Sequence, residues 1–237
     1  MDSRQVLITG ASSDIGLALC HRYLQAGWRV VAHYRTLRPE LEALAGDRLT
    51  PWRCDFANTD ALESELTRPQ PFDACDALVN LAAVVRPVSF ATFSASDLLQ
   101  MVAVNTLPSL ILMRRLGPGM VSRGFGRIIQ GSSIGVKFGG GSDLFCYSFS
   151  KHALEFIPAT VRSWAAANVF VNVVRIGVTD NRHLCTHVLH KNISERVALI
   201  PARRPAQPEE IAETLFWLGS EANGYTSGQV IAAAGGE

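Results

Sequence analysis

Tyr147-Ser148-Phe149-Ser150-Lys151 places a phenol and an amine four residues apart, which on a helix puts both on one face, one turn apart. An unperturbed phenol, with a pKa of about 10, holds its proton too tightly for acid chemistry at neutral pH. A neighbouring ammonium stabilises the phenolate and draws that pKa down, so the pair is expected to exchange a proton with a substrate oxygen. The same spacing arises by chance on surface helices, so the reading depends on what the rest of the chain builds around it. A second segment, Thr9-Gly10-Ala11-Ser12-Ser13-Asp14-Ile15-Gly16, follows an apolar strand and opens a helix. A glycine-rich turn in that place can bring backbone N–H groups and a helix N-terminus up to a pyrophosphate. The alternative is an ordinary strand-to-helix loop with a Ser/Asp cap. At the end of the second strand stands Tyr34-Arg35-Thr36. An acidic residue there would receive the ribose hydroxyls of NAD; Arg35 instead suits a 2′-phosphate, so NADP(H) is the expected cofactor. A solvated surface arginine is the alternative.

The elements that would position these groups follow from hydrophobic periodicity. Residues 6–8 form a short apolar strand, 14–26 a helix stopped by Gly27, and 29–33 a second strand, which makes a βαβ unit. Further strands are predicted at 49–54, 77–81, 127–130, 170–175 and 229–233, with helices from about 60, at 96–117, 145–167 and 208–219. The alternation predicts an α/β, Rossmann-like doubly wound fold: a seven-stranded parallel sheet with helices on both faces, in one domain over 1–237. Residues 179–208 break the alternation, are rich in His, Arg and Lys, and follow a strand C-terminus, so they are expected to form a substrate lid.

Composition narrows the classes. With 48% hydrophobic and 18% charged residues and a net charge of +1, nothing marks the chain as disordered or as generally attracted to nucleic acid. No run is read as approaching the about 20 apolar residues of a membrane span. No secretory segment precedes the first strand, so a cytoplasmic location and no membrane partner are expected. Cys20, Cys54, Cys75, Cys146 and Cys185 are odd in number and lack CxxC spacing, which speaks against a disulfide framework or a metal site.

Taken in order, these segments resemble the short-chain dehydrogenase/reductase family over nearly the whole chain. Residues 9–16 match its TGxxxGxG turn, with Asp14 at the middle glycine. Asp55 matches the acidic residue that contacts adenine, with Phe56 beside it, and Asn80-Leu81-Ala82-Ala83 matches the NNAG motif at its first and third positions. Asn105 matches the helix asparagine of the catalytic tetrad, Ser132-Ser133 the double serine, and Tyr147 and Lys151 the YxxxK pair. Arg204-Pro205-Ala206-Gln207-Pro208-Glu209-Glu210 and Ser227-Gly228-Gln229-Val230 match the C-terminal segments. Leu81, Ala83, Ile176 and Ala234 depart from the pattern, and Ser133 and Tyr147 stand one residue further apart than is common, an insertion that Gly139-Gly140-Gly141 could absorb. Asp14 is expected to cap the first helix and leave cofactor binding intact.

The resemblance implies an NADPH-dependent oxidoreductase that reduces a carbonyl to an alcohol, with Tyr147 as general acid and Ser133 holding the carbonyl oxygen. It further implies that Lys151 lowers the phenol pKa and holds the nicotinamide ribose, that Asn105 binds a water relaying protons to it, and that Val178 and Thr179 fix the carboxamide. Without the resemblance, Asn105 reads more readily as a buried structural amide. The implied cofactor site is Gly10, Ser12, Ser13, Asp14, Ile15, Gly16, Tyr34, Arg35, Thr36, Asp55, Phe56, Asn80, Ala82, Tyr147, Lys151, Val178 and Thr179. Members similar to 3-oxoacyl-[acyl-carrier-protein] reductases make a ketone or 3-oxoacyl thioester, on a carrier protein or CoA, the first expected substrate. Arg123 and Arg127 would lend charge for a carrier. Arg86, Lys137, Phe138, Phe145, His183 and His187 are placed around the pocket, where an aromatic ring could stack on a pterin, so a dihydropteridine-type reductase stays open. So does a non-catalytic NADP-binding redox sensor. Apolar residues around the long helices, among them Leu98, Leu99, Met101, Phe156, Ile157 and Trp164, suggest helix pairing between subunits, and the family commonly forms homotetramers, with a homodimer as the smaller form.

Overall fold

Seven runs rich in aliphatic residues form the strands β1 (Gln5–Thr9), β2 (Arg29–Tyr34), β3 (Leu49–Arg53), β4 (Ala77–Asn80), β5 (Gly126–Ser133), β6 (Val169–Ile176) and β7 (Val230–Ala233). They make one sheet in the order β3-β2-β1-β4-β5-β6-β7, with every pairing parallel. The structure is a computed structural model and describes residues 3–181 and 193–237. The strand order reverses between β1 and β4, and a doubly wound sheet opens a crevice there, beyond the strand C-termini.

Both faces of the sheet are covered, and the two-residue period of the strands decides which side chain goes where. Val6, Ile8, Val30, Ala32, Ala77, Val79, Ile129 and Val174 meet helices α1 (Asp14–Gln25) and α9 (Pro208–Leu218) on one face. Leu7, Val31, Leu78, Ile128, Val171 and Val173 point the other way, against Leu112, Leu116 and Met120 of α5 (Leu107–Arg123). The remaining described helices are α2 (Pro39–Glu42), α3 (Thr59–Glu65), α4 (Ala95–Asn105), α6 (Phe145–His152), α7 (Ala159–Arg162) and α8 (Ile193–Ala198).

Two expected long helices are broken. The stretch 96–117 folds as α4 and α5, separated at Thr106, whose hydroxyl donates to the Ser150 carbonyl at 2.8 Å. The stretch 145–167 ends its first helix at His152, passes through a 3₁₀ turn at Ala153–Glu155, and leaves helical geometry at Phe156 (ψ 103°). Pro158 disfavours helical geometry at Ile157, and the chain restarts as α7 and a 3₁₀ turn. By length and composition alone, Ala95–Arg123 is also apolar enough to cross a membrane, against the expectation from sequence. In the fold it is two helices, packed on α6 and β5 and carrying the fully buried Asn105.

Arg127 is a further correction, since its side chain is enclosed within the fold (2% exposed) and cannot serve a carrier protein. The guanidinium lies between the rings of Phe125 and Phe170, at 4.3 and 4.2 Å from their centroids. It donates to the carbonyls of Gly126 (2.8 Å), Asn168 (2.7 Å), Ser220 (3.3 Å) and Asn223 (2.7 Å). Burial lowers its pKa to about 10. This one side chain ties β5 to the turn after α9, so Arg127→Leu, which orphans those carbonyls, is expected to cost about 3 kcal/mol of unfolding free energy in urea titration.

Candidate active site

The nucleotide end of the site is built on contact between backbones. The Thr9 hydroxyl accepts from the N–H groups of Leu81 (3.0 Å) and Ala82 (3.1 Å), drawing the end of β4 against that of β1. Gly10 has φ +69°, and a Cβ on it would stand 2.8 Å from the Ala82 nitrogen. A Cβ on Gly16 would run into the Gly10 carbonyl oxygen. Ser13, rather than Asp14, caps α1: its Oγ accepts from the Gly16 N–H at 3.0 Å and donates to the Gly10 carbonyl at 2.8 Å. Asp14 turns outward to Arg38, whose Nη1 donates to Asp14 Oδ1 (2.9 Å) and to the Ser12 carbonyl (2.7 Å).

His33 was not singled out from sequence, yet it supports this turn. Its ring stacks on Phe56 at 3.9 Å, its Nδ1 accepts from the Gly10 N–H at 3.2 Å, and Nε2 donates to the Cys54 carbonyl at 3.0 Å. Burial lowers its pKa from 6.5 to about 4, so the ring is neutral and the accepting nitrogen is available. A cavity of about 750 Å³ begins here, bordered by Gly10, Ser12, Ser13, Asp14, Ile15, Arg35, Thr36, Asp55, Phe56 and Ala82. It runs past Ser133, Tyr147, Lys151 and Thr179. A glycine cradle that a Cβ would fill, the N-terminus of α1 and an arginine at the far end suit a dinucleotide with an added phosphate.

Beyond Ser133 and Tyr147 opens a second cavity, of about 810 Å³, to which Lys137, Phe138, Val178, Leu199 and Pro201 contribute. Ser133 and Tyr147 border both cavities. The Ser133 hydroxyl, which accepts from the Gly135 N–H at 3.2 Å, acts to lower the Tyr147 pKa, while Ser132 turns to the Glu155 carboxylate (2.9 Å) and the Lys151 carbonyl (3.2 Å). Both serines border the first cavity, but only Ser133 also borders the second, and the Ser132 hydroxyl is committed to Glu155 and Lys151. Between Ser133 and Tyr147, Gly139, Gly140 and Gly141 all have positive φ, a conformation that glycine adopts without strain.

The electrostatics differ from the expectation. Burial raises the Tyr147 pKa, and the Ser133 hydroxyl opposes the rise. Lys151 is itself buried, which lowers its pKa to about 8, and its Nζ donates to the Gly131 carbonyl at 2.7 Å. Asn105 is a brace. Its Oδ1 accepts from the Val84 N–H (2.8 Å), its Nδ2 donates to the Val84 carbonyl (3.0 Å) and Ser150 Oγ (2.9 Å), and it borders neither cavity.

Other expected residues fall outside the cofactor cavity. Gly16 shapes it from behind, Tyr34 packs into the core, Asn80 donates to Gln130 at 3.0 Å, and Val178 belongs to the second cavity. Arg86 pairs with Gln100, and Phe145 sits among Phe90, Phe93 and Phe149, so neither borders the substrate space. His183, His187 and Cys185 lie outside the described residues. The described ends of the expected lid are joined, with Asp180 and Ala206 donating to the Ala206 and Val178 carbonyls at 2.8 and 2.9 Å.

A family model described as enoyl-(acyl carrier protein) reductase matches residues 10–237. The chain belongs to the short-chain dehydrogenase/reductase family. Acetoacetyl-CoA reductase of Rhizobium meliloti is 28% identical over 99% of this chain and 98% of its own length. That of Cupriavidus necator is 29% identical over 100% and 98%. Among solved structures, an assigned NAD(P)-dependent gluconate 5-dehydrogenase from Beutenbergia cavernae, with bound NADP at low occupancy, matches with a TM-score of 0.86 at 30% identity, covering 100% of this chain and 97% of that one. A 3-oxoacyl-[acyl-carrier protein] reductase from Brucella melitensis matches with a TM-score of 0.84 at 26% identity, covering 98% and 90%. The protein is thus an oxidoreductase of this family with a seven-stranded Rossmann-like sheet.

The His33 shift sets a pH dependence. Below 6.5 the unfolded chain takes a proton that the native ring refuses until about 4, so stability falls as pH drops through that window. The full loss is about 3 kcal/mol, and urea midpoints between neutral and acid pH should fall less steeply in His33→Gln. Equal slopes in the two proteins would show that His33 does not titrate there.

Proposed function

We propose that this oxidoreductase uses NADPH to reduce a ketone or a short 3-oxoacyl thioester to the alcohol. The observation that carries the reading is the meeting of the two cavities at Ser133 and Tyr147, with Lys151 on the cofactor side. Ser12, Ser13 and Ile15 at the α1 N-terminus would hold the pyrophosphate, and Asp55 and Phe56 would flank the adenine. Arg35 and Thr36 border the end where a 2′-phosphate would lie, which supports NADPH over NADH. When bound, the cofactor supplies a hydride to the carbonyl carbon. Ser133 holds the carbonyl oxygen, and Tyr147 gives its proton to that oxygen as negative charge develops. A phenol held high by burial is neutral at physiological pH and therefore carries the proton it must donate. Lys151 is poised beside it to steady the charge left on the phenolate.

Relatives named acetoacetyl-CoA reductase favour a CoA thioester, and Lys137, at the border of the second cavity, suits its anionic end. The pterin alternative loses one of its two candidate rings, since Phe145 is engaged in an aromatic cluster. Cys20, Cys54, Cys75 and Cys146 are buried free thiols, in keeping with a cytoplasmic site of action. Leu99, Phe149 and Phe156 stay exposed on or just after α4 and α6, and we infer that these helices pair between subunits.

The test is NADPH consumption against acetoacetyl-CoA, diketones, hydroxylated keto acids, quinones and dihydropterins, with NADH in parallel. Turnover with an oxoacyl thioester or ketone, preferring NADPH and falling about 100- to 10,000-fold in Tyr147→Phe, is expected. Tight NADPH binding with no turnover on any class would favour the sensor. Light scattering at micromolar concentration should give a dimer or tetramer; a monomer would remove the helix-pairing reading.

A further inference from the structure

Glu155 borders neither cavity, yet it is a buried carboxylate directly behind the reacting pair, with its side chain 8% exposed in the turn that closes α6. A carboxylate so placed must be paired, and Arg175 of β6 meets it as a fork: Nε to Oε1 at 2.8 Å and Nη2 to Oε2 at 2.7 Å. The remaining neighbour with charge to offer is the exposed His152, whose Nδ1 stands 3.5 Å from Oε2. Oε1 also accepts from the Ser132 hydroxyl, which is shared with the backbone carbonyl of Lys151. Burial works against the ionised form of Glu155, but the bonds from Arg175 and Ser132 hold its pKa below the ordinary value.

The sheet register explains why these groups meet. Ser132 and Arg175 are paired residues of β5 and β6, and Glu155 follows Lys151 by one helical turn, so its side chain comes down over that pair. The next residue of β5, Gly131, accepts from the Lys151 ammonium. Both ends of Lys151, its backbone carbonyl and its amine, are therefore registered on adjacent residues of one strand. Neither Arg175 nor Glu155 is needed to build the strand or the helix, and each is an expensive group to bury.

We propose that Glu155, clamped by Arg175, is a positioning residue: through Ser132 it fixes the last turn of α6 over β5 and thereby where Tyr147 and Lys151 stand. The inference rests on the role given to that pair above. Glu155 has no contact with substrate or cofactor in this role; Ser132 borders the cofactor cavity, but the role assigned to its hydroxyl is the bond to Glu155 and Lys151. If the clamp acts only as structural glue, its loss lowers stability and leaves the reacting geometry alone.

Three variants separate these cases with NADPH and acetoacetyl-CoA. Ser132→Ala cuts the link without stranding a charge, Glu155→Ala removes its anchor, and Glu155→Gln keeps an acceptor for Ser132. The first two are expected to lower kcat about 10- to 100-fold with KM held within about twofold, because displacement of order 1 Å in a reacting group costs that much. Glu155→Gln should recover most of the rate, and Ser132→Ala combined with Glu155→Ala should be no slower than Glu155→Ala alone, since both cut one link. A second readout needs no turnover: the pH midpoint for acylation of Lys151 in the NADPH-free protein, followed by peptide mass spectrometry. It should move in Ser132→Ala and Glu155→Ala and stay fixed in Glu213→Gln, which breaks only a surface pair with Arg22. A moved midpoint in an enzyme that turns over nothing would uphold the positioning role while the reductase reading fails. Unchanged kcat and an unchanged midpoint, with only a lowered unfolding temperature, would overturn the proposal. Should Glu155→Ala not fold, Ser132→Ala decides alone.

Discussion

The passage of the Gly10 backbone across Ala82 is the constraint on which the site depends. At that point the chain leaves β1 for α1 while β4 leaves the sheet beside it, with no side chain between them. The Thr9 hydroxyl holds the gap closed by accepting two N–H groups from the far strand, and His33 holds the turn from the other side. The N-terminus of α1 thus stands at a fixed height over the sheet. The reacting residues share that reference, because Ser133 ends β5 and β5 pairs with β4 in register. A dinucleotide reaching from Arg35 to Lys151, as proposed, would meet two ends placed by one set of strand pairings, which is how a loop and a distant helix can be held to the tolerance that chemistry requires.

Much of this is legible in the sequence, because the physics that sets it is local. Short continuous aliphatic runs alternating with helical segments give seven parallel strands, and the glycines at 10 and 16 mark a turn where only bare backbone fits. Tyr147 and Lys151 are legible through helical spacing, and Ser133 through its place at a strand end. What remained hidden depends on partners distant in sequence. Arg127 reads as a surface charge until the carbonyls of residues 168, 220 and 223 converge on it. His33 looks like an ordinary strand residue until Gly10 and Phe56 arrive on either side. The broken helices are a different case, since each break carries a local proline: Pro108 in the first turn of α5, where Thr106 adds a bond to Ser150 on another helix, and Pro158 ahead of α7.

Arg127, Glu155 and Lys151 are charged side chains enclosed by this fold, and the way each is compensated separates structure from chemistry. Arg127 is surrounded by carbonyl oxygens and aromatic faces; burial lowers its pKa to about 10, which still leaves it charged at neutral pH. Glu155 has a full counter-charge and stays below its ordinary value. Lys151 has one carbonyl for its ammonium, and burial carries its pKa to about 8. Well-compensated charges are inert at neutral pH, since neither titrates near it. The poorly compensated amine is the one whose protonation is cheap to change, which is the property a proton-handling group must have. Tyr147, a phenol that burial keeps protonated, borders the same cavity, so an acid and an adjustable charge stand within one pocket.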